Sequence, residues 1–164
     1  MPQAKQVKPE QMSLILFSGD FDKAMAALTL ANGAAGNGMQ VNIFFTFWGI
    51  SLLRQKNSGS ELFLEKLFKT MMPIGADKIG LSKFNFCGIG PWLLKKLIRH
   101  KDGQTTQDLF KMAMERKIHF VACEASLKLL GISKEELIKY EHLEVAGVDS
   151  FLQSALESKI AMFI

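Results

Sequence analysis

The sequence predicts an α/β domain, a single three-layer sandwich with a mainly parallel sheet and helices on both faces. Three observations carry that expectation. Short apolar runs of strand length recur at 13–17 (SLILF), 41–47 (VNIFFTF), 118–122 (IHFVA) and 159–164 (KIAMFI). The run at 41–47 shows no alternation of polarity, as in a strand covered on both faces. Helical patterns separate these runs, and 164 residues at 48% apolar and 22% charged suffice for one buried core.

Each element follows from local chemistry. SLILF is bounded by Ser18-Gly19-Asp20, a turn whose Ser18 or Asp20 can cap a helix from about Phe21 to Ala35. Ala24, Ala27, Leu28, Ala31 and Ala35 share its inner face, where small side chains allow close approach to a sheet. Gly36-Asn37-Gly38 ends the helix. Trp48-Gly49 closes the second strand, and one or two helical turns run to Arg54. Lys56 to Ser60 is a polar loop, and Glu61 to Met71 repeats apolar residues at helical spacing before Pro73. Ile79-Gly80-Leu81 is a candidate short strand, and residues 84–94 form a loop leading into a short basic helix. Thr105 or Thr106 caps a helix at about 107–117, and a helix follows Cys123 directly from Glu124 to Leu130. Ser133 to Glu136 spells a capping box. Leu143–Ala146 reads as a strand, Asp149 as the cap of a helix to Ser158, and 159–164 as the closing strand. The polar residues 1–11, with Pro2 and Pro9, read as a flexible N-terminal segment without a secretory signal, leaving 12–164 as the domain.

Composition excludes several classes. Two cysteines rule out a disulfide framework, and a net charge of +4 is too weak to argue for nucleic acid. No charged residue occurs between Lys23 and Arg54, yet Asn32-Gly33 and Gly36-Asn37-Gly38 break that span, so it is not a transmembrane helix. Membrane association is therefore not expected, and the reading is a cytoplasmic protein. Thirteen Phe and nine Met are many for this length, which points to extra surface buried in an oligomer. The chain has no phosphate-binding GxxxxGK[ST], no complete dinucleotide fingerprint, no GxSxG, no CxxC and no HExxH. No metal and no cofactor is expected.

What remains is a thiol. In parallel α/β sheets, chemistry collects beyond the carboxyl ends of the strands. There the sequence places Gly19 and Asp20, Trp48 and Gly49, and Cys123 with Glu124. Cys123 is the strong nucleophile among them, at the first turn of a helix whose N–H groups favour a thiolate or persulfide anion. Gly19, Asp20, Trp48, Gly49 and Glu124 are then the candidate walls of a cleft. The competing reading is a cysteine that merely packs. Cys87, between Phe84, Phe86 and Trp92, is a possible second thiol or core filler. The Lys95-Lys96-Arg99-Lys101 cluster is a solvated face or a docking surface for an acidic carrier protein.

The segments FFTFWGISLL (44–53), GLSKFNFCGIG (80–90), HFVACEASLKLLGI (119–132) and EVAGVDSFLQSALESKIAMFI (144–164) resemble the DsrE/DsrF/DrsH-like family, closest to its DsrE-like subgroup. The resemblance runs from about Met12 to Ile164. It implies a YchN-like α/β fold, assembly as a homo-oligomer (trimer or hexamer), and relay of sulfur as cysteine persulfide to TusA-like or rhodanese-like partners. The family's sulfur-carrying cysteine falls by position on Cys123, and no role is carried onto Cys87. The leading expectation is thus a sulfur carrier or sulfurtransferase. Two other readings stand beside it: a module binding a small anionic or nucleotide-like ligand near Ser18 to Asp20, and a non-catalytic subunit of a sulfur-relay hetero-oligomer.

Overall fold

The computed structural model describes residues 9–56, 69–81, 89–101 and 103–164. Five strands form one sheet: β1 (Gln11–Leu16), β2 (Gln40–Phe45), β3 (His119–Cys123), β4 (Leu143–Ala146) and β5 (Ile160–Phe163). Five α-helices are named here, α1 (Phe21–Gly36), α2 (Ile89–His100), α3 (Thr106–Glu115), α4 (Glu124–Leu129) and α5 (Val148–Leu156), and residues 69–71 are helical as well. A 3-10 helix spans Phe47–Leu53, and a single 3-10 turn spans Lys134–Glu136.

All four strand pairings are parallel, in the order β4-β3-β2-β1-β5. From β1 to β4 the chain steps steadily in one direction. After β4 it returns across the whole sheet to lay β5 on the far side of β1. Right-handed crossovers taken in opposite directions place their helices on opposite faces, so α5 covers the face that α1 and α3 do not.

The larger core lies on the α1 side. Met12, Leu14, Leu16, Val41, Ile43, Phe45, Phe120 and Ala122 point there. They meet Ala24, Ala27, Leu28 and Ala31 of α1 and Leu109, Phe110 and Ala113 of α3. The helical spacing of those small residues is what lets α1 sit close. Phe120 anchors the centre, edge-on to Phe45 at 5.2 Å and tilted against Phe110 at 5.3 Å. Thr105 caps α3 with a full capping box to Asp108.

The α5 face divides in two. Near the strand starts it is polar. The Gln11 amide donates to the Ser154 carbonyl and hydroxyl, Asn42 donates to the Ser154 hydroxyl, and Ser13 shares a hydrogen bond with Ser158. Near the strand ends it is apolar, with Ile15, Phe44, Val121, Cys123, Ala146 and Phe151 in one cluster. Phe151 of α5 tilts against Phe44 at 5.7 Å.

Some boundaries differ from the sequence expectation. Residues 79–81 form no strand: Ile79 is buried, and the Gly80 carbonyl accepts the Phe21 N–H at 2.6 Å instead of joining a ladder. Gly147, not Asp149, caps α5, and Asp149 lies in its first turn. The second strand stops at Phe45 because Phe47 takes a positive φ of 45°, turning the chain into the 3-10 helix. The expected loop at 57–60, most of the helix from 61 and the segment 82–88 lie outside the described residues.

Gly49 has a steric duty. A Cβ there would lie 2.1 Å from the Leu16 carbonyl oxygen, so the 3-10 helix can cross the end of β1 only on a glycine. Gly49→Ala is expected to cost about 1–3 kcal/mol. Gly33→Ala, mid-helix with no atom within 4 Å of the added Cβ, is expected to stabilise by about 0.5–1 kcal/mol. Urea midpoints check both, and equal midpoints would contradict the close-approach assignment.

Candidate functional site

Cys123 is the last residue of β3 and the N-cap of α4. The β2–β3 register pairs Phe45 with Ala122, so Thr46 comes up beside Cys123. Across the other edge of β3, Cys123 pairs with Ala146. Two turns of chain are tied together next to the sulfur. The Thr46 and Ser126 hydroxyls lie 2.8 Å apart, and the Phe47 N–H donates to Ser126 Oγ at 3.1 Å. The positive φ of Phe47, costly for a bulky residue, is held by this contact and by the packing of its ring on Phe17 at 5.1 Å.

The electrostatics of the sulfur follow from these neighbours. Burial pushes the Cys123 thiol up, but the neighbouring Ser126 hydroxyl and N–H, Thr46 hydroxyl and Ala125 N–H outweigh it, and the thiol lies below its ordinary value; because the two hydroxyls share one hydrogen bond, one of them at a time turns its proton to the sulfur. No aligned side-chain cap closes onto α4 itself; the sulfur is flanked by donors rather than locked to one. Glu124, the adjacent acid, points away and pairs with Lys128 at 2.7 Å on the exposed face. This is a setting for a sulfur anion, whether thiolate or persulfide. The residue is only 7% exposed, so a reacting molecule has to displace part of the cover formed by Phe44, Val121 and Phe151.

The other predicted residues do not surround Cys123. A cavity of about 480 Å³ opens on the α1 side, lined in part by Ser18, Gly19, Asp20, Lys23 and Trp48. Gly49 is buried and touches Leu16, and Glu124 lies on α4 outside the cavity. Cys123 does not line it either. The single cleft expected from the sequence is thus two places: a donor-flanked thiol on the α5 face and an open cavity at the start of α1. In that cavity Asp20 accepts the Ser18 hydroxyl at 2.6 Å and pairs with Lys23 at 3.0 Å. The protein's own carboxylate therefore occupies the position beside the helix N-terminus that a ligand anion would seek. Cys87 lies outside the described residues. His119 sits at the opposite end of β3 from Cys123, roughly 13 Å away, beside Glu144 at 3.9 Å. No cluster of metal-ligating side chains occurs among the described residues, and none of their helices is long and apolar enough to cross a membrane.

Thr46 and Ser126 are the residues that sequence reading missed. Ser126 had a legible signal: it stands three positions after the N-cap, where a side chain folds back on the helix start. Thr46 had none, because its place beside Cys123 depends on strand register.

Comparison with known proteins gives the family and the fold. Residues 8–163 match the family model of the DsrE/DsrF/DrsH-like family. The chain is 43% identical over 157 residues to the uncharacterized protein YrkE of Bacillus subtilis, covering 94% of this chain and 97% of that one. It is 28% identical over 162 residues to the sulfur carrier protein DsrE2 of Allochromatium vinosum, covering 96% and 100%. Among solved structures, the ychN protein of E. coli superposes with a TM-score of 0.56 at 11% identity, over 94% of this chain and 99% of that one. A protein of unknown function from Methanobacterium thermoautotrophicum gives a TM-score of 0.55 at 9% identity, over the same shares. These two structures speak to the fold, which is YchN-like.

Proposed function

Because the chain belongs to the DsrE/DsrF/DrsH-like family, a family of sulfur relay, we propose that it is a sulfur carrier that accepts sulfane sulfur on Cys123 and passes it to a partner thiol. The observation that carries the reading is the place of Cys123 at the end of β3 and the start of α4, beside the linked Thr46 and Ser126 hydroxyls; these neighbours hold the thiol below its ordinary value although burial opposes it. The step balances without an outside oxidant. The Cys123 thiolate attacks the outer sulfur of a donor persulfide, the donor's S–S bond breaks, and its inner sulfur leaves as a thiolate. A partner thiolate then attacks the outer sulfur of Cys123 persulfide and returns Cys123 to the thiolate. The donors that favour one sulfur anion favour the other.

TusA-like or rhodanese-like proteins fit as donor and acceptor, and the cytoplasm as the reducing compartment in which free thiols persist. A homo-oligomer, trimer or hexamer, fits the β5 edge: Phe163, Leu152 and Leu156 are 68%, 52% and 89% exposed, and among the described strands β5 pairs with β1 alone. The test is mass spectrometry after incubation with a persulfide donor. Wild type and Cys87→Ser are expected to gain one sulfur atom, and Cys123→Ser none. Uptake by Cys123→Ser equal to wild type sinks the assignment. A relay complex that loses transfer only when another subunit's cysteine is removed supports the silent-subunit reading instead.

A further inference from the structure

Access to Cys123 is decided on the sheet face that α5 covers. At the level of the sulfur the strand neighbours are small: Ala146 pairs with Cys123 on β4, and Thr46 stands beside it after β2. One step lower, Ile15, Phe44 and Val121 lie side by side in register on β1, β2 and β3. The bulk over this apolar row comes from α5. Phe151 joins the cluster that holds Cys123 and tilts its ring against Phe44 at 5.7 Å, while Val148, Leu152 and Leu156 of the same helix are exposed. No residue of α5 is buried, so little apolar surface fastens this helix to the sheet.

The two ends of α5 are held differently. The C-terminal half is pinned near the strand starts, where Gln11 and Asn42 donate to Ser154 and Ser13 shares a hydrogen bond with Ser158. The N-terminal half begins at Gly147, a cap with no side-chain hydrogen bond, directly after the Ala146 that pairs with Cys123. This half is tied by Phe151 on Phe44 and by an exposed contact of the Ser150 hydroxyl with Glu144 at 3.5 Å, the outer limit of a hydrogen bond. Nothing lies within 4 Å of where a Cβ on Gly147 would stand, so the chain can swing there without a clash. A helix end with so few buried apolar contacts opens far below the free energy of global unfolding. We propose that Phe151 is the gate residue of Cys123: α5 swings about its serine-pinned end, lifts the Phe151 ring off Phe44, and thereby sets the size of what reaches the sulfur. The opening beside Ala146 and Thr46 is narrow, so it suits a thiol or persulfide at the tip of an extended chain rather than one set in a broad surface. This deepens the reading of Cys123 as a sulfur carrier and rests on it for the identity of the visitor.

Alkylation of the full-length protein reads the gate. It is run well above the titration midpoint of Cys123, where ionisation no longer limits the rate, with iodoacetamide and with the same reactive group carrying a fluorescein. Rates are read on the Cys123 peptide by mass spectrometry and divided by those of a free cysteine peptide. In wild type the bulky reagent is expected to lag behind the small one. Phe151→Ala is expected to raise the bulky rate about ten-fold, the scale of losing a half-buried aromatic contact, and the small rate by less. Phe151→Leu is expected to fall between wild type and Phe151→Ala, and it carries the comparison if circular dichroism shows that Phe151→Ala does not fold. Equal normalised rates for the two reagents in wild type, no rise in the variants, or the same rise for both reagents overturns the gate. Failure of the sulfur reading shows elsewhere: sulfur uptake by Cys123→Ser equal to wild type removes the identity of the visitor and leaves the size dependence of alkylation as it is.

Discussion

Glu136→Ala is expected to remove about 3–5 kcal/mol of stability, a large share of the 5–15 kcal/mol typical of a folded domain. The reason is a buried charge cluster. The Glu136 side chain is fully buried, with Lys69 Nζ 2.6 Å from one carboxylate oxygen and the Arg54 guanidinium 3.6 Å from the other. Arg54 is also fully buried and donates to the Lys69 and Met72 carbonyls. Burial pulls its guanidinium below the ordinary value, and Glu136 acts against that pull. The backbone adds a second tie: the Gln55 N–H donates to the Glu136 carbonyl at 2.9 Å, and the Ile138 N–H to the Leu53 carbonyl at 2.8 Å. One carboxylate thus fastens the end of the 3-10 helix, the segment around Lys69 and the turn before β4.

Truncating Glu136 removes a carboxylate that two buried cations share, which is the costly way to break such a cluster. Urea denaturation reads the loss as a lower midpoint. Replacing Arg54, Lys69 and Glu136 together by apolar residues of similar volume is expected to recover most of it, because the desolvation cost of all three charges disappears with them. A Glu136→Ala protein as stable as wild type would show that the cluster contributes nothing.

The contrast between this cluster and the thiol shows what a sequence discloses. The parallel α/β pattern was legible because strands and helices write their periodicity locally: VNIFFTF, the alanine face of α1 and the capping residues need no distant partner. The position of Cys123 was legible for the same reason, as a cysteine between an apolar strand run and a helix start. Arg54, Lys69 and Glu136 are 82 residues apart at their extremes and read as surface charges until the fold brings them together. Glu124 was misassigned to the cleft because adjacency in sequence at a strand end does not mean adjacency in space: the helix turns it outward, where Lys128 pairs with it. Gly49 was expected to help shape the cleft; in the fold it is buried and admits the Leu16 carbonyl. The split between cavity and thiol was invisible, since which face a strand-end residue joins depends on register.

Ser126→Ala is expected to raise the titration midpoint of Cys123 and slow its alkylation at neutral pH by about ten-fold or more, the scale of one hydrogen bond to a charged group. Burial acts against the thiolate, so the lowered value depends on the donors, and the Ser126 hydroxyl is the largest of them. The measurement is the pH dependence of alkylation at Cys123, read on its own peptide by mass spectrometry so that Cys87 does not contribute. Rates for wild type and variant are expected to converge well above the midpoint, where both thiols are ionised. A parallel loss at every pH would instead indicate altered access. Thr46→Val is expected to shift the profile in the same direction by less. Because the two hydroxyls are bonded to each other at 2.8 Å, the double variant is expected to shift it by less than the sum. The same shift has a stability consequence with a definite sign. A thiol whose folded value is depressed adds stability that is full above the unfolded value, about 8.5, and is lost as the pH falls through the folded value. Wild type is therefore expected to gain stability relative to Cys123→Ser as the pH rises through that window, and Ser126→Ala to lose most of the gain. A wild-type midpoint that Ser126→Ala leaves in place would remove the physical basis for an anionic sulfur at the end of β3.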